Sequence, residues 1–136
     1  MTQEVESALG RLFASRPEVD VAAVFGSTAT GRERPDSDLD LYVRLRPGAS
    51  WSLRERLALA GEASSICRRE IDLVVEDDTT SVILRREVAN HGRPLYEARP
   101  GAWRDLRAAA GLAYVDLEPF MRRIGEAVRA RAKRHG

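Results

Sequence analysis

The chain has a single cysteine, Cys67, among its 136 residues. One thiol cannot form an intramolecular disulfide or a thiolate zinc cluster, so the fold must depend on its hydrophobic core. Cys67 follows Ile66 late in a helical pattern, where we expect a buried or half-buried and inert thiol. Histidine is also scarce. His91 lies in a helix stop signal and His135 in the terminal tail, so neither is placed to bind a metal at a catalytic site.

Long apolar runs are absent as well. No stretch approaches the ~20 residues that a membrane span requires, and no signal-peptide pattern is present. We therefore expect a cytoplasmic protein that makes no membrane contact. The chain is 43% hydrophobic and shows no internal repeat, which is typical of one compact unit.

The net charge is only +1, but it is unevenly distributed. Residues 99–136 hold nine Lys or Arg against four Asp or Glu, whereas residues 1–98 hold thirteen against seventeen. We therefore predict a domain at 1–98, which the family resemblance described below implies to be catalytic, and a basic helical extension at 99–136 that packs on it or on a partner. A solvated face and an acidic protein partner both fit this extension, and direct nucleic-acid binding fits less well because few aromatic residues are interleaved. Its apolar positions at helical spacing are Leu106, Leu112, Val115, Leu117, Phe120, Ile124 and Val128.

Hydrophobic periodicity predicts an α/β fold in which helices cover a small sheet. The predicted helices are residues 3–14, 52–69, 80–90 and the extension, and the predicted strands are residues 21–25, 39–44 and 71–75. The expected helix caps are Thr2 and either Thr80 or Ser81. The apolar and small positions of the helix at 52–69 are Leu53, Leu57, Ala60, Ala63 and Ser64.

A glycine–serine turn follows the first predicted strand. Gly26 allows the backbone to approach a ligand closely. Ser27 adds a hydroxyl and an N–H in what should be the first turn of a short helix, where exposed amide donors favour an anion. The turn therefore predicts a phosphate-binding site.

Three aspartates complete the pattern. Asp38 and Asp40 are two positions apart at the start of a strand, so both carboxylates should project from one face. Adjacent carboxylates repel each other unless a cation lies between them, and hard oxygen ligands suit Mg²⁺. If the strand of Asp72 pairs beside that of Asp40, Asp72 joins them, and three aspartates surround a site for two metal ions.

Other motifs fit less well. Gly26–Arg32 has the glycine spacing of a P-loop, but Arg32 and Glu33 replace the required Lys and Ser or Thr. An EF-hand loop starting at Asp36 would need Gly at position 41, which is Leu41. An acidic turn that merely enters a strand is the remaining alternative for an isolated Asp-x-Asp.

Together, Gly26–Ser27, Ser37–Leu41 and the isolated Asp72 resemble the polymerase-beta-type nucleotidyltransferases, and specifically their minimal single-domain branch, over about residues 10–97. This resemblance implies a single-domain nucleotidyltransferase fold with a small mixed sheet and a C-terminal helical tail. The segment 92–96 and the tail resemble the MntA-like antitoxins, which pair with HEPN ribonuclease toxins.

The resemblance also implies an activity and roles for the site residues. Asp38, Asp40 and Asp72 would be catalytic and would bind two Mg²⁺ ions, while Gly26 and Ser27 would bind the phosphates of ATP. AMP would be transferred from ATP to a tyrosine hydroxyl of a cognate HEPN toxin, which would neutralise it. A small-molecule nucleotidyltransferase of the aminoglycoside type and a binding-only antitoxin are the alternatives.

The chain departs from this branch at one position. Many relatives have a basic residue immediately before the second glycine of the turn, where this sequence has Thr30. Arg32 and Arg34 follow the turn and are candidates to replace it.

Overall fold

The computed structural model describes residues 1–31 and 37–135, with the backbone alone for residues 113–118, 121 and 132–135. None of the helices in these ranges is long and apolar enough to span a membrane. The predicted α/β class and the C-terminal helix are confirmed. In chain order the elements are α1 (Gln3–Ala14), β1 (Val19–Phe25), α2 (Gly26–Ala29), β2 (Leu39–Leu45), α3 (Leu53–Cys67), β3 (Ile71–Val75), α4 (Val82–His91), β4 (Arg93–Glu97) and α5 (Ala102–His135).

The strands form one mixed sheet in the order β3-β2-β1-β4. β1 is antiparallel to β2 and to β4, and its residues are buried along its whole length. β2 and β3 are parallel and are joined by the α3 crossover. Parallel pairing brings the first residues of both strands to the same edge of the sheet.

The two faces of β2 differ in chemistry because successive side chains of a strand point to opposite faces. Leu39, Leu41 and Val43 are buried in a core that includes residues of α1 and α3. Tyr42, on the other face, packs in a second core with residues of α4 and α5. Asp40 precedes Tyr42 on this second face, so the sheet presents its acidic end there.

Strand β4 was not predicted, although the sequence analysis singled out residues 92–96. It pairs with the buried β1 and has a register irregularity where Ala23 meets Pro94. Proline cannot donate a hydrogen bond to a sheet, so it is tolerated on an edge strand such as this one. Propensity did not predict this strand because it contains Pro94 and has charged residues, Arg93 and Glu97, at its two ends.

Helix α3 begins as predicted, and only part of its apolar residues is buried. Ser52 and Glu55 form a capping box in which each side chain accepts from the backbone N–H of the other residue. Leu53 and Leu57 are 72% and 63% exposed, whereas Leu59 is buried together with Ala63. Of the apolar and small positions named from the sequence, Ala63 is therefore buried, whereas Leu53 and Leu57 are not.

The first turns of α5 pack on the rest of the protein. Ala102, Leu106 and Ala110 are at most 5% exposed and belong to the core or adjoin it. Beyond Gly111 the described apolar side chains face solvent: the exposed ones are Leu112, Phe120, Ile124 and Val128. The side chains of Val115 and Leu117 lie outside the described residues. The division at residue 98 stays a prediction, and part of the extension completes the core.

Candidate active site

Asp40 and Asp72 lie side by side on neighbouring strands. The parallel register of β2 and β3 places Asp40 directly opposite Asp72 and Leu41 opposite Leu73. Residues in register share the same face of a sheet, so the two carboxyl groups project together. The predicted pairing of the two strands is confirmed. It brings the second and third aspartates of the sequence pattern into contact.

The electrostatics of the site centre on Asp40. Partial burial raises the pKa of Asp40 above its ordinary value, and the neighbouring charge of Asp72 raises it further. A hydrogen bond with Asp72 and the charge of Asp38 act in the same direction, while the nearby Arg69 opposes them. The surroundings of Asp40 therefore disfavour its charged form, so this carboxyl group favours either a proton or a nearby cation.

The glycine of the turn lies directly against the carboxyl group of Asp40. Gly26 has a φ of +70°, which residues with a side chain rarely adopt. A Cβ at this position would lie 2.2 Å from Oδ2 of Asp40. The glycine is thus required both by its backbone conformation and by its contact with Asp40.

Ser27 lies in the short helix α2, as predicted. This helix starts directly after β1, and its N-cap is the apolar Phe25, which makes no side-chain capping hydrogen bond. Thr30 closes the other end, where its hydroxyl is 3.3 Å from the carbonyl oxygens of Gly26 and Ser27. Arg32 and Arg34, the predicted substitutes for a basic residue at Thr30, lie outside the described residues.

Asp38 is one residue before β2 and is exposed. Its segment is held by Arg69, whose Nε and Nη2 donate to the carbonyl oxygen of Ser37 at 3.0 and 2.8 Å. Nη2 also lies 3.2 Å from the Ser37 hydroxyl oxygen. Asp38 is close enough for its charge to raise the pKa of Asp40. The structure therefore gathers all three aspartates at one end of the sheet.

The residues of the site fit magnesium through their chemistry. In the ranges that the structure describes, no group of three or more His, Cys, Asp or Glu side chains is arranged to hold a metal ion. Mg²⁺ is commonly held by one or two carboxylates together with phosphate oxygens of the substrate, and it does not need an all-protein cage. Asp40 and Asp72 are two carboxylates of this kind. Metal binding by Asp38, Asp40 and Asp72 stays a prediction.

A polar network lies farther along the same sheet face. The Tyr42 hydroxyl donates to Glu76 at 2.7 Å, and Arg85 donates to both carboxyl oxygens of Glu76 at 2.8 Å. Burial alone would raise the pKa of Glu76, but these hydrogen bonds outweigh it and lower the pKa. Burial and the bond to Glu76 raise the pKa of Tyr42. A cavity of about 200 Å³ is lined by the three residues of this network and by residues of α5 that include Leu106.

Sequence reasoning missed Arg69 and the Tyr42–Glu76–Arg85 network. Arg69 offered one signal, because it lies three residues before Asp72 in the turn between a helix and a strand. Glu76 directly follows the predicted strand, but no pattern indicated its partners. Cys67 is half-buried as expected, and burial raises the pKa of its thiol.

The family model described as polymerase beta, nucleotidyltransferase matches residues 8–100, which is more than half of the chain. The chain therefore belongs to the polymerase beta nucleotidyltransferase family. No curated protein sequence gives a significant match.

Solved structures share the fold. A chain of a toxin–antitoxin complex with AMP-PNP superposes with a TM-score of 0.76 at 22% identity, covering 90% of this chain and 97% of that one. A chain of the Shewanella oneidensis complex of a tri-AMPylated HEPN toxin with its MNT antitoxin gives a TM-score of 0.73 at 21% identity, covering 94% and 98%. A minimal nucleotidyltransferase gives 0.56 at 29% identity, covering 68% and 90%. The predicted resemblance to MntA-like antitoxins is thus confirmed at the level of the fold.

Proposed function

We propose that this protein is an antitoxin that transfers AMP from ATP to a tyrosine hydroxyl of a cognate HEPN toxin and thereby neutralises it. The observation that carries the proposal is the register of Asp40 with Asp72 beside the Gly26 turn, within a nucleotidyltransferase fold. The neighbouring fold in complex with an AMPylated HEPN toxin supports the choice of acceptor.

Each residue has a role in this proposal. Asp38 and Asp40 would hold two magnesium ions that arrive with ATP, and Asp72 would bind one of them. Bound magnesium would balance the charge of the pyrophosphate leaving group and lower the pKa of an acceptor hydroxyl. Gly26 and Ser27 contact the terminal phosphates through backbone amides and a hydroxyl.

The transfer itself is an in-line displacement. The acceptor phenol gives up its proton to solvent, and its oxygen forms a bond to the α-phosphorus while the bond from that phosphorus to the leaving oxygen breaks to release pyrophosphate. Asp72 is exposed, so it is accessible to a hydroxyl that enters from a partner. A tyrosine with a pKa near ~10 is mostly protonated at neutral pH, which explains why the acceptor needs activation.

The acceptor belongs to another molecule in this proposal. Tyr42, which lies on the same sheet face as Asp40, is only 2% exposed and donates to Glu76, so it is not an accessible acceptor. The AMPylated HEPN toxin of the neighbouring structure favours a protein acceptor over an aminoglycoside-type substrate.

Neutralisation of the toxin tests the proposal. The toxin gene is expressed alone, with the wild-type protein, and with the Asp38→Asn/Asp40→Asn variant, and the toxin is then analysed by peptide mass spectrometry. We expect growth rescue and AMP on a toxin tyrosine with the wild type alone. Rescue by the double variant without any AMP on the toxin would instead identify a binding-only antitoxin.

A further inference from the structure

Arg69 connects the two segments that carry the site aspartates. Two nitrogens of its guanidinium donate hydrogen bonds to the Ser37 carbonyl oxygen, and one of them also donates to the Ser37 hydroxyl. One of those nitrogens lies 3.4 Å from the carbonyl oxygen of Asp38. The side chain therefore contacts two consecutive carbonyl groups of the backbone, those of Ser37 and Asp38.

The backbone of Arg69 is itself anchored in the turn between α3 and β3. Arg68 adopts a left-handed conformation with φ +57°, which ends α3, and the Ser64 hydroxyl donates to the Arg69 carbonyl oxygen at 2.7 Å. The next residue accepts a hydrogen bond across the strands, because the Leu39 N–H donates to the Glu70 carbonyl oxygen at 2.8 Å. Arg69 thus starts from a fixed position only three residues before Asp72.

We propose that Arg69 is a positioning residue for the transferase site, and that its guanidinium fixes the Asp38 segment relative to the strand that carries Asp72. The inference rests on the proposed function, because it assigns a role in building that same site. The register of β2 with β3 orients Asp40 and Asp72. Asp38 precedes β2, so this register does not orient it and another contact has to do so. Arg69 supplies that contact.

The geometry of the contact requires arginine. Two nitrogens of a planar guanidinium approach one carbonyl oxygen, and a lysine ammonium on a flexible stem cannot reproduce this arrangement. Partners that orient metal-binding carboxylates typically change metal affinity or activity by about 10–100-fold when they are removed. A positioning role therefore predicts a large loss that a lysine does not restore.

The experiment compares Arg69→Met and Arg69→Lys with the wild type, and uses Arg68→Met as a control because Arg68 is the exposed neighbour. Folding is verified by circular dichroism. Exchange of the Leu39 amide hydrogen is measured in the absence of nucleotide, and the rate of AMP transfer to the partner is measured against Mg²⁺ concentration at saturating ATP. If Arg69→Met does not fold, Arg69→Lys alone is compared with the wild type.

We expect both Arg69 variants to lose at least tenfold protection at Leu39 and to need about 10–100-fold more Mg²⁺ for half-maximal transfer, with Arg68→Met like the wild type. Wild-type behaviour of Arg69→Lys would assign the effect to charge alone and overturn the proposal. Unchanged magnesium dependence in either Arg69 variant would overturn it as well. A wild-type protein that transfers no AMP would instead contradict the proposed function, while the exchange measurement would still show whether Arg69 fixes the segment.

Discussion

The backbone of Gly26 lies so close to the carboxyl group of Asp40 that a single added carbon would come within 2.2 Å of Oδ2. The Gly-Ser turn and the aspartate strand are therefore parts of one packed unit. The backbone of Gly26 thus limits the positions that the carboxylate of Asp40 can adopt.

Gly26→Ala should abolish AMP transfer and lower the free energy of unfolding by about 1–3 kcal/mol, because it combines a positive φ with a steric clash. Gly48→Ala is the matched control, since Gly48 has φ +83° and no atom within 4 Å of its added Cβ. Chemical denaturation and a transfer assay compare the two. Equal losses of activity in both variants would show that the contact with Asp40 is unimportant.

Asp72→Asn should reduce the transfer rate severely while the protein still binds ATP with magnesium. Asp38 and Asp40 retain the nucleotide-side ion in our account, and Asp72 acts on the acceptor side. Calorimetric titration with ATP and magnesium, alongside Asp40→Asn, checks this division. If Asp72→Asn loses nucleotide binding as completely as Asp40→Asn does, the roles are assigned wrongly.

Asp40→Asn should stabilise the protein when metal is removed. A carboxyl group whose pKa is raised on folding destabilises the native state at pH values above its folded pKa, and this penalty disappears as the pH falls through that value. In EDTA near pH 7.5, we expect the variant to melt a few degrees higher, and the gain to vanish as the pH approaches the ordinary 3.8. Thermal melts across pH measure it.

Asp105→Asn is the control for this prediction, because the pKa of Asp105 is shifted in the opposite direction to that of Asp40. A hydrogen bond from Arg99 lowers the pKa of Asp105, so its removal should not raise the melting temperature at neutral pH. A gain of equal size in both variants would trace the effect to net charge and not to the pair with Asp72.

The exposed stripe of α5 should bind the partner. Leu112, Phe120, Ile124 and Val128 are between 43% and 72% exposed on a helix rich in basic residues. Replacing all four by Ser should weaken association with the toxin at least tenfold and leave ATP binding intact, because apolar side chains at the centre of an interface dominate affinity. Rising salt should slow association of the wild-type pair.

The matched control is Leu53→Ser with Leu57→Ser, a similarly exposed pair on α3. Surface plasmon resonance and calorimetry give the two affinities. Loss of affinity in the control alone would place the docking surface on α3. A deletion of the whole extension is unsuitable, because Ala102, Leu106 and Ala110 are buried.

The aspartate pair could be predicted from the sequence because local rules determine it. Alternation along a strand fixes which way Asp40 points, and an isolated acid in an apolar run marks Asp72 as its neighbour. The α3 crossover makes parallel pairing of these strands the simple solution. The glycine was also predictable from its place after a buried strand.

The contacts of Arg69 could not be predicted in this way. They join residues 32 positions apart through one guanidinium, and neither periodicity nor propensity encodes such a bond. The buried residues of α3 could not be predicted for a similar reason, because helical spacing alone did not separate Ala63, which is buried, from Leu53 and Leu57, which are exposed. Pro94 concealed β4, since an edge strand tolerates a residue that a central strand excludes.

The position of the label in ATP provides the most direct test of the central claim. The purified protein and its HEPN partner are incubated with magnesium and with ATP labelled either at the α- or at the γ-phosphate, and the partner is isolated. We predict label on the partner from α-labelled ATP alone, and none with Asp40→Asn. Label from γ-labelled ATP, or equal α-label with the Asp40 variant, would contradict AMP transfer by this aspartate site.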